Sequence, residues 1–216
     1  IMVIRKGVTN TATKIFHTTK NGDIINQYAY NFDNKGLKFE AATTDGQGTY
    51  YVTGDHVDAD SSYSIQFVAE ITENGLQWFQ RYFFGRSVSG NAISLDANGY
   101  LWLSGTIMDT AATNTQNPWL MQLNTDGSLR WAREYKRAEL FNELAGSLSP
   151  RANGSMRVYG SAFGANNSDG IAWQVDQTGM VEWTRAYNHF LFQGAGGGIP
   201  IDQDRLLVNA NAAGTV

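Results

Sequence analysis

The stretch WLMQLNTDGSLRWAREY, residues 119–135, predicts two β-strands joined by a tight turn. In its first half, Trp119, Met121 and Leu123 alternate with their neighbours, which is the side-chain period of a β-strand. An Asp-Gly pair ending at Gly127 follows, and glycine adopts the positive φ of a tight turn at no steric cost. The whole stretch is therefore typical of a β-hairpin.

The same hairpin pattern recurs along the chain at a regular interval. Further copies are FVAEITENGLQWFQRYF at 67–83, IAWQVDQTGMVEWTRAY at 171–187 and a less regular KIFHTTKNGDIINQYAY at 14–30. The turn glycines, 53, 52 and 52 residues apart, are Gly22, Gly75, Gly127 and Gly179. The second strand of three copies carries a tryptophan, and these are Trp78, Trp131 and Trp183. A period of this length predicts a repeat architecture.

Each repeat also contains a second pair of strand candidates, such as the apolar segment 100–105 after the turn at Asn98 and Gly99. No segment has a convincing helical period, and 135–145, the one stretch with helix-favouring composition, is interpreted as a loop between repeats. Four short strands in about fifty residues are typical of one β-propeller blade. The sequence therefore predicts an all-β fold, a β-propeller of about four blades of ~52 residues. The three tryptophans are expected to pack between blades.

The predicted chain is a single domain, 1–216. Its repeats run approximately over 1–36 (partial), 37–87, 88–141, 142–192 and 193–216 (partial). Two arrangements remain open: a closed small ring in which the two ends share one blade, or consecutive blades of a larger propeller. The lengths of the two partial repeats favour the first arrangement, and a start at Ile1 rather than methionine favours the second.

Composition excludes several classes of function. With 216 residues and 42% hydrophobic content, the chain has ample length for a core. A net charge of -4 provides no basic surface for nucleic acid. The sequence has no cysteine for disulfides or thiolate metal sites. No apolar run of about eighteen residues is present, so membrane insertion is not expected.

The repeat also resembles a known family. The pattern Asp/Asn-x-x-Gly-x-x-x-Trp, followed by a strand such as YLWLSG at 100–105, resembles bacterial and phage β-propeller repeats written D-x-x-G-x-x-x-W … Y-V-x-G. The segment 176–183 is also distantly similar to the tryptophan-docking motif of quinoprotein propellers, whereas Asn26 stands where the first copy would need tryptophan. The resemblance covers nearly the whole chain. It implies a propeller fold and an extracellular or virion location, without a particular activity.

Two groups of residues are candidate sites. The densest group of carboxylates is Asp55, Asp58 and Asp60, and calcium prefers such oxygen ligands. The segment lacks the order of ligand residues found in an EF-hand, so a solvated loop is the favoured interpretation. Polar loops at 55–63, 108–118 and 164–170 recur at one position in each repeat and are expected to form one binding rim. Candidate ligand-binding residues in or beside these loops are Tyr63, Trp119 and Asp169, with packing as the alternative for the aromatic rings.

No catalytic group is apparent from residue spacing. The histidines show no metal spacing, and the strand carboxylates Glu70, Glu134 and Glu182 have no recognisable partner, whereas a glycosidase needs two carboxyl groups. The sequence therefore predicts a non-enzymatic structural or recognition module of an extracellular or phage-virion protein. Its expected partners are protein subunits of a larger assembly, or a surface glycan or receptor, and calcium is the one cofactor considered. The alternative is a propeller enzyme, a hydrolase or quinoprotein-like protein, with its site at the central channel.

Overall fold

The computed structural model describes residues 2–5, 13–30, 37–57, 63–109, 115–136, 142–163, 168–187, 192–200 and 206–212. Their regular structure is entirely β. The strands are β1 (Met2–Arg5), β2 (Thr13–Thr18), β3 (Ile24–Tyr30), β4 (Lys38–Thr44), β5 (Tyr50–Val57), β6 (Ser64–Thr72), β7 (Gly75–Tyr82), β8 (Val88–Leu95), β9 (Tyr100–Asp109), β10 (Thr115–Asn124), β11 (Leu129–Glu134), β12 (Asn142–Pro150), β13 (Met156–Phe163), β14 (Ser168–Val175), β15 (Val181–Tyr187), β16 (Phe192–Pro200) and β17 (Leu206–Ala212). The described part of the chain holds no helix long and apolar enough to cross a bilayer.

The strands form consecutive meanders that follow the sequence repeat. Strands β4–β7 form a four-stranded antiparallel sheet, and β8–β11 and β12–β15 repeat that arrangement. A single parallel pair between Gln116 and Asn142 joins the last two meanders into one sheet. Strands β1–β3 and β16–β17 form smaller sheets at the two ends of the described chain. The predicted all-β fold class is confirmed.

The chain divides into two compact units, residues 1–90 and 91–216. The division falls within β8, after Gly90. Unit 1 contains β1–β7, and unit 2 contains β9–β17. The predicted single domain stays a prediction.

The strands extend into the segments that were predicted as loops. Strand β9 runs to Asp109 and β10 begins at Thr115, so all the described residues of the predicted loop 108–118 are strand. Strand β14 begins inside the predicted loop 164–170, and β12 inside the predicted loop 135–145. The physical reason is pairing: every residue from Thr115 to Asn124 has a partner on β9, which satisfies its backbone groups.

The core of unit 1 joins the first hairpin to the meander β4–β7. Its buried residues are Ile15, Leu37, Phe39, Val52, Phe67, Ala69 and Ile71. Phe67 is central: its ring meets Phe39 edge-on at 5.1 Å and stacks on Phe79 at 5.2 Å. Such aromatic pairs add about 0.5–1.5 kcal/mol beyond the burial of area.

The core of unit 2 lies between the meanders β8–β11 and β12–β15. Its largest members are Trp102, Leu120, Met156, Ile171 and Trp173, all at most 4% exposed. Full burial of one such apolar side chain stabilises the fold by about 1.5–3 kcal/mol.

The four repeat glycines occupy tight turns with positive φ. Their φ angles are 94° at Gly22, 101° at Gly75, 83° at Gly127 and 80° at Gly179. In the last turn, Asp176 Oδ1 accepts hydrogen bonds from the backbone N–H groups of Thr178 and Met180, at 2.8 and 2.9 Å. The hydroxyl of Thr178 donates a further bond to the same carboxylate.

Candidate active site

Three charged side chains converge where β4 begins and β5 ends, in unit 1. Lys38 and Asp55 are directly opposite each other in the register of the two strands. The Nζ of Lys38 lies 2.5 Å from Oε1 of Glu40 and 3.7 Å from Oδ1 of Asp55. Because both oxygens contact the same nitrogen, they can be no further apart than the sum of these distances, about 6 Å. The fold therefore brings two carboxylates to one ammonium group.

A β-bulge occurs in β4 at Glu40. Phe39 pairs with Gly54 and Ala41 pairs with Thr53, so Glu40 is the extra residue on β4. Exposure still alternates along β4, so Lys38 and Glu40 share one face of the strand. Bulges are enriched near active sites. The same bulge occurs in β12, where Gly146 is the extra residue between Ala145 and Ser147. The corresponding position thus carries a glutamate in one meander and a glycine in the other.

Gly54 makes the bulge possible. A Cβ at this position would overlap the carbonyl oxygen of Lys38 and lie 2.9 Å from the Cα of Phe39. Only glycine therefore permits this approach of β5 to β4. Gly54 is the last residue of the repeat motif Tyr-Val-x-Gly. A glycine of the motif therefore helps to position Glu40 and Asp55, although neither carboxylate belongs to the motif.

On the neighbouring strand β6, the buried polar residue Gln66 lies opposite Asp55. Asp55 is 8% exposed and pairs across the sheet with the fully buried Gln66 of β6. The Nε2 of Gln66 donates hydrogen bonds to Oγ1 of Thr53 and to the carbonyl oxygen of Phe67. Gly90 packs against this amide, since a Cβ there would overlap it. These bonds hold the residues beneath Asp55 in one arrangement.

Electrostatics keep Lys38 charged. Its hydrogen bond to Glu40, together with the negative charges of Asp55 and Glu40, raises the pKa of Lys38 above its ordinary value, against an opposing effect of partial burial. The ammonium group is therefore cationic throughout the neutral range. The side chain of Lys38 is 57% exposed and that of Glu40 is 23% exposed, so solvent reaches these two groups, whereas the side chain of Asp55 is only 11% exposed.

The three residues predicted to bind a ligand lie in different environments. Tyr63 is half-buried, with its ring centroid 6.1 Å from that of Phe83 in unit 1. Trp119 is 3% exposed on β10, where its ring packs in the interior of unit 2. Asp169 lies on β14 opposite Ala162. The predicted role of these residues stays a prediction.

The predicted calcium site falls only partly on described residues. Asp55 belongs to the charged group above, whereas Asp58 and Asp60 lie outside the described residues. Within the described ranges, no three His, Asp or Glu side chains come close enough together to hold a metal ion. The calcium site stays a prediction.

The three repeat tryptophans make different contacts. Trp131 donates hydrogen bonds to the side chain of Gln122 at 3.1 Å and to the carbonyl oxygen of Gln177, in the next meander, at 3.0 Å. Trp78 donates to Glu70 of its own meander at 2.8 Å. Trp183 has the guanidinium groups of two arginines of its own meander within 6 Å of its ring centre.

Comparison with known proteins identifies the fold and no family. No family model matches the sequence, and no curated protein is recognisably similar to it. Solved structures that resemble the chain include two at 12% identity. A Dyadobacter fermentans protein of unknown function has a TM-score of 0.62, with 94% of this chain and 66% of that one covered. The GH93 α-L-arabinofuranosidase of Fusarium graminearum, in complex with arabinobiose, has a TM-score of 0.59, with 93% and 67% covered.

The chain therefore has a β-propeller fold, built from four-stranded antiparallel blades. It spans about two thirds of the length of each of these two proteins. The prediction of a non-enzymatic module is contradicted, because one of these neighbours is a glycoside hydrolase. That prediction depended on the lack of a carboxylate pair at a recognisable spacing. The pairing of β4 with β5 brings Glu40 and Asp55, which are fifteen positions apart, to the same ammonium group.

Proposed function

We propose that the chain belongs to a propeller enzyme that hydrolyses glycosidic bonds, with Glu40 and Asp55 as its two carboxyl groups. The observation that carries the proposal is their placement within about 6 Å of each other, beside the ammonium group of Lys38. Glycosidases that retain anomeric configuration hold two carboxyl groups about 5–5.5 Å apart, and inverting ones about 6.5–9.5 Å apart. The upper bound of about 6 Å favours the retaining class.

The chemistry of a retaining hydrolase follows from this spacing. One carboxylate oxygen attacks the anomeric carbon and forms a C–O bond, while the bond from that carbon to the leaving oxygen breaks. The other carboxyl group gives its proton to the leaving oxygen. Water then attacks the same carbon, releases the first carboxylate and gives a proton back to the second.

Lys38 contributes in a different way. Its ammonium group contacts both carboxylates, so it orients them and balances their charge before a substrate arrives. An ammonium group has three N–H donors, so Lys38 keeps donors beyond the one that Glu40 accepts, and these suit a sugar hydroxyl. The neighbouring fold of an arabinofuranosidase supports a furanoside or short oligosaccharide as the first substrate class to test.

The test is a hydrolysis assay on the full chain. The substrates are a panel of p-nitrophenyl glycosides, with the α-L-arabinofuranoside included, and arabinobiose. We expect hydrolysis of at least one substrate and a loss of kcat of about a hundredfold to ten-thousandfold in Glu40→Gln and in Asp55→Asn. The first anomer released, followed by proton NMR, is expected to have the configuration of the substrate.

A matched control is Glu73→Gln, which changes an exposed carboxylate of the same unit and is expected to keep kcat. Circular dichroism melting curves verify that each variant is folded. Inactivity of the folded chain on the whole panel, or full activity in both folded site variants, would contradict the proposal. Inversion of configuration would contradict the retaining assignment alone.

A further inference from the structure

Two neighbouring meanders of unit 2 meet where β11 contacts the turn before β15. Trp131 of β11 donates a hydrogen bond to the carbonyl oxygen of Gln177, and Nη1 of Arg133 lies 3.4 Å from Sδ of Met180. Both side chains lie against Gly179, because a Cβ added there would be 2.8 Å from the Trp131 ring and 2.9 Å from Cδ of Arg133. A tryptophan and an arginine of one hairpin therefore hold the turn of the next.

Strand β15 carries the same two residue types at the same spacing. Trp183 and Arg185 follow their turn glycine by four and six residues, as Trp131 and Arg133 follow theirs. Trp183 is half-buried and Arg185 is exposed, with its guanidinium carbon 5.9 Å from the ring centre of Trp183. Among the described residues, no group accepts a hydrogen bond from the indole N–H of Trp183. The surface that holds a turn on β11 is thus repeated on β15 without a turn hydrogen-bonded to it.

The turn between β2 and β3 is a turn of the same repeat without a neighbour. Residues 20–25 are exposed, and a Cβ added at Gly22 would meet no atom within 4 Å. The turn leads into Ile24 and Ile25, which are 61% and 62% exposed. Among the described strands, β3 pairs with β2 alone, so these two apolar side chains stand on an open sheet edge. Open edges of this kind are sites of contact with other chains.

The two surfaces are complementary in charge. If the first turn lay on β15 as turn 176–180 lies on β11, Asp23 would take the position of Met180, because each directly follows the turn glycine. Arg185 has the position of Arg133, the side chain that contacts Met180. The contact of arginine with methionine would become an ion pair of arginine with aspartate. Opposite charges across a contact fix its register and favour the correct partner.

We propose that the first turn of one copy of this chain docks on β15 of a second copy. The indole N–H of Trp183 donates to the carbonyl oxygen of Lys20, which has the position of Gln177, and Arg185 pairs with Asp23 of the other copy. Because the two surfaces differ, the contact is head-to-tail and association is not limited to dimers. The carboxylate pair of unit 1 takes no part in it, so the proposal does not depend on the proposed hydrolysis.

The test measures self-association of the full chain by sedimentation velocity, at protein concentrations up to about 1 mM. Asp23→Arg and Arg185→Asp each set two like charges against each other, and each is expected to weaken association at least about tenfold. The double variant Asp23→Arg, Arg185→Asp restores an opposite pair and is expected to recover association. Arg130→Asp is the matched control, because it reverses an exposed arginine on β11, outside the contact.

Both reversed positions are exposed, so the variants are expected to fold, and circular dichroism melting curves verify it. Trp183→Phe, which removes the N–H and keeps a ring, provides a second measurement and is expected to weaken association severalfold. A chain that stays monomeric at the highest concentration would overturn the proposal. Association that is unchanged in both folded single variants, or that does not recover in the double variant, would overturn it as well.

Discussion

The phenolic oxygen of Tyr135 lies 2.8 Å from the carbonyl oxygen of Gly179, to which it donates a hydrogen bond. Tyr135 directly follows the last strand of one meander, and Gly179 is the turn glycine of the next. In unit 1, the hydroxyl of Tyr28 on β3 donates in the same way to the carbonyl oxygen of Glu73, in the turn between β6 and β7. A tyrosine of one hairpin thus binds the turn of the following hairpin in both units.

Removal of this hydroxyl should destabilise unit 2. Tyr135→Phe leaves the carbonyl oxygen of Gly179 without its partner, at a cost of about 1–2 kcal/mol in the free energy of unfolding. Burial raises the pKa of Tyr135, so the donor is protonated throughout the neutral range. Urea denaturation at neutral pH measures the loss. Tyr100→Phe is the control, because no described residue forms a hydrogen bond with its hydroxyl. An equal loss of unfolding free energy in both variants would argue against a specific role for Tyr135.

Two turn glycines should differ in their tolerance of alanine. Gly22 and Gly179 both have positive φ, so Gly22→Ala and Gly179→Ala incur backbone strain of a similar kind. A Cβ at Gly22 meets no atom within 4 Å, whereas one at Gly179 would lie 2.8 Å from the ring of Trp131. We expect Gly179→Ala to lose about 1–3 kcal/mol more stability than Gly22→Ala. Chemical denaturation of both variants measures the difference, and equal losses would exclude the overlap as a factor.

Acid should weaken the turns. Hydrogen bonds to the carboxylates of Asp45, Asp126 and Asp176 hold the pKa of each below its ordinary value. The largest cause is the backbone N–H of Gln47 for Asp45. It is the side chain of Ser128 for Asp126 and the side chain of Thr178 for Asp176. A folded-state pKa below the unfolded value stabilises the protein above the unfolded pKa, and this contribution is lost as pH falls through the folded pKa.

The melting temperature should therefore fall as pH decreases below about 4. The triple variant Asp45→Asn, Asp126→Asn, Asp176→Asn should have a shallower dependence on pH, because asparagine can accept the same bonds without titrating. All three carboxylates are exposed, so the effect should be modest. Parallel curves for the two proteins would show that these aspartates do not control acid stability.

The bulge should be the most sensitive feature of the candidate active site. Gly54→Ala places a methyl group against the carbonyl group of Lys38, which must move, and Glu40 with it. We expect a loss of several kcal/mol in unfolding free energy, or no folded protein. Gly146→Ala is the comparison, because a Cβ there meets only the carbonyl oxygen of Tyr159, at 3.5 Å. Similar stability of the two variants would mean that the close approach of β4 and β5 can relax.

Local patterns account for what could be predicted of the fold. The period of two, the turn glycines and the 52-residue interval predict hairpins in a repeat, because each depends on residues close in the chain. Strand ends were less predictable. The polar residues Gln116 and Asn117 resemble a loop in sequence, but they lie in β10 because β9 offers partners for their backbone.

The candidate site was not predictable in the same way. Glu40 and Asp55 are fifteen residues apart and follow no motif spacing, so the sequence indicates no relation between them. The one available signal was the glycine of the Tyr-Val-x-Gly motif, which marks a close approach between strands without revealing which side chains it brings together.

The amino-acid sequence alone determined the all-β class, the hairpins and the repeat, since these follow from side-chain alternation and turn chemistry within short segments. The tertiary structure decided which charges meet. The register of β4 against β5 sets Asp55 opposite Lys38, which shares a strand face with Glu40, and the packing of two meanders buries the indole of Trp173. Both depend on register and on contacts between distant segments, which local residue patterns do not encode.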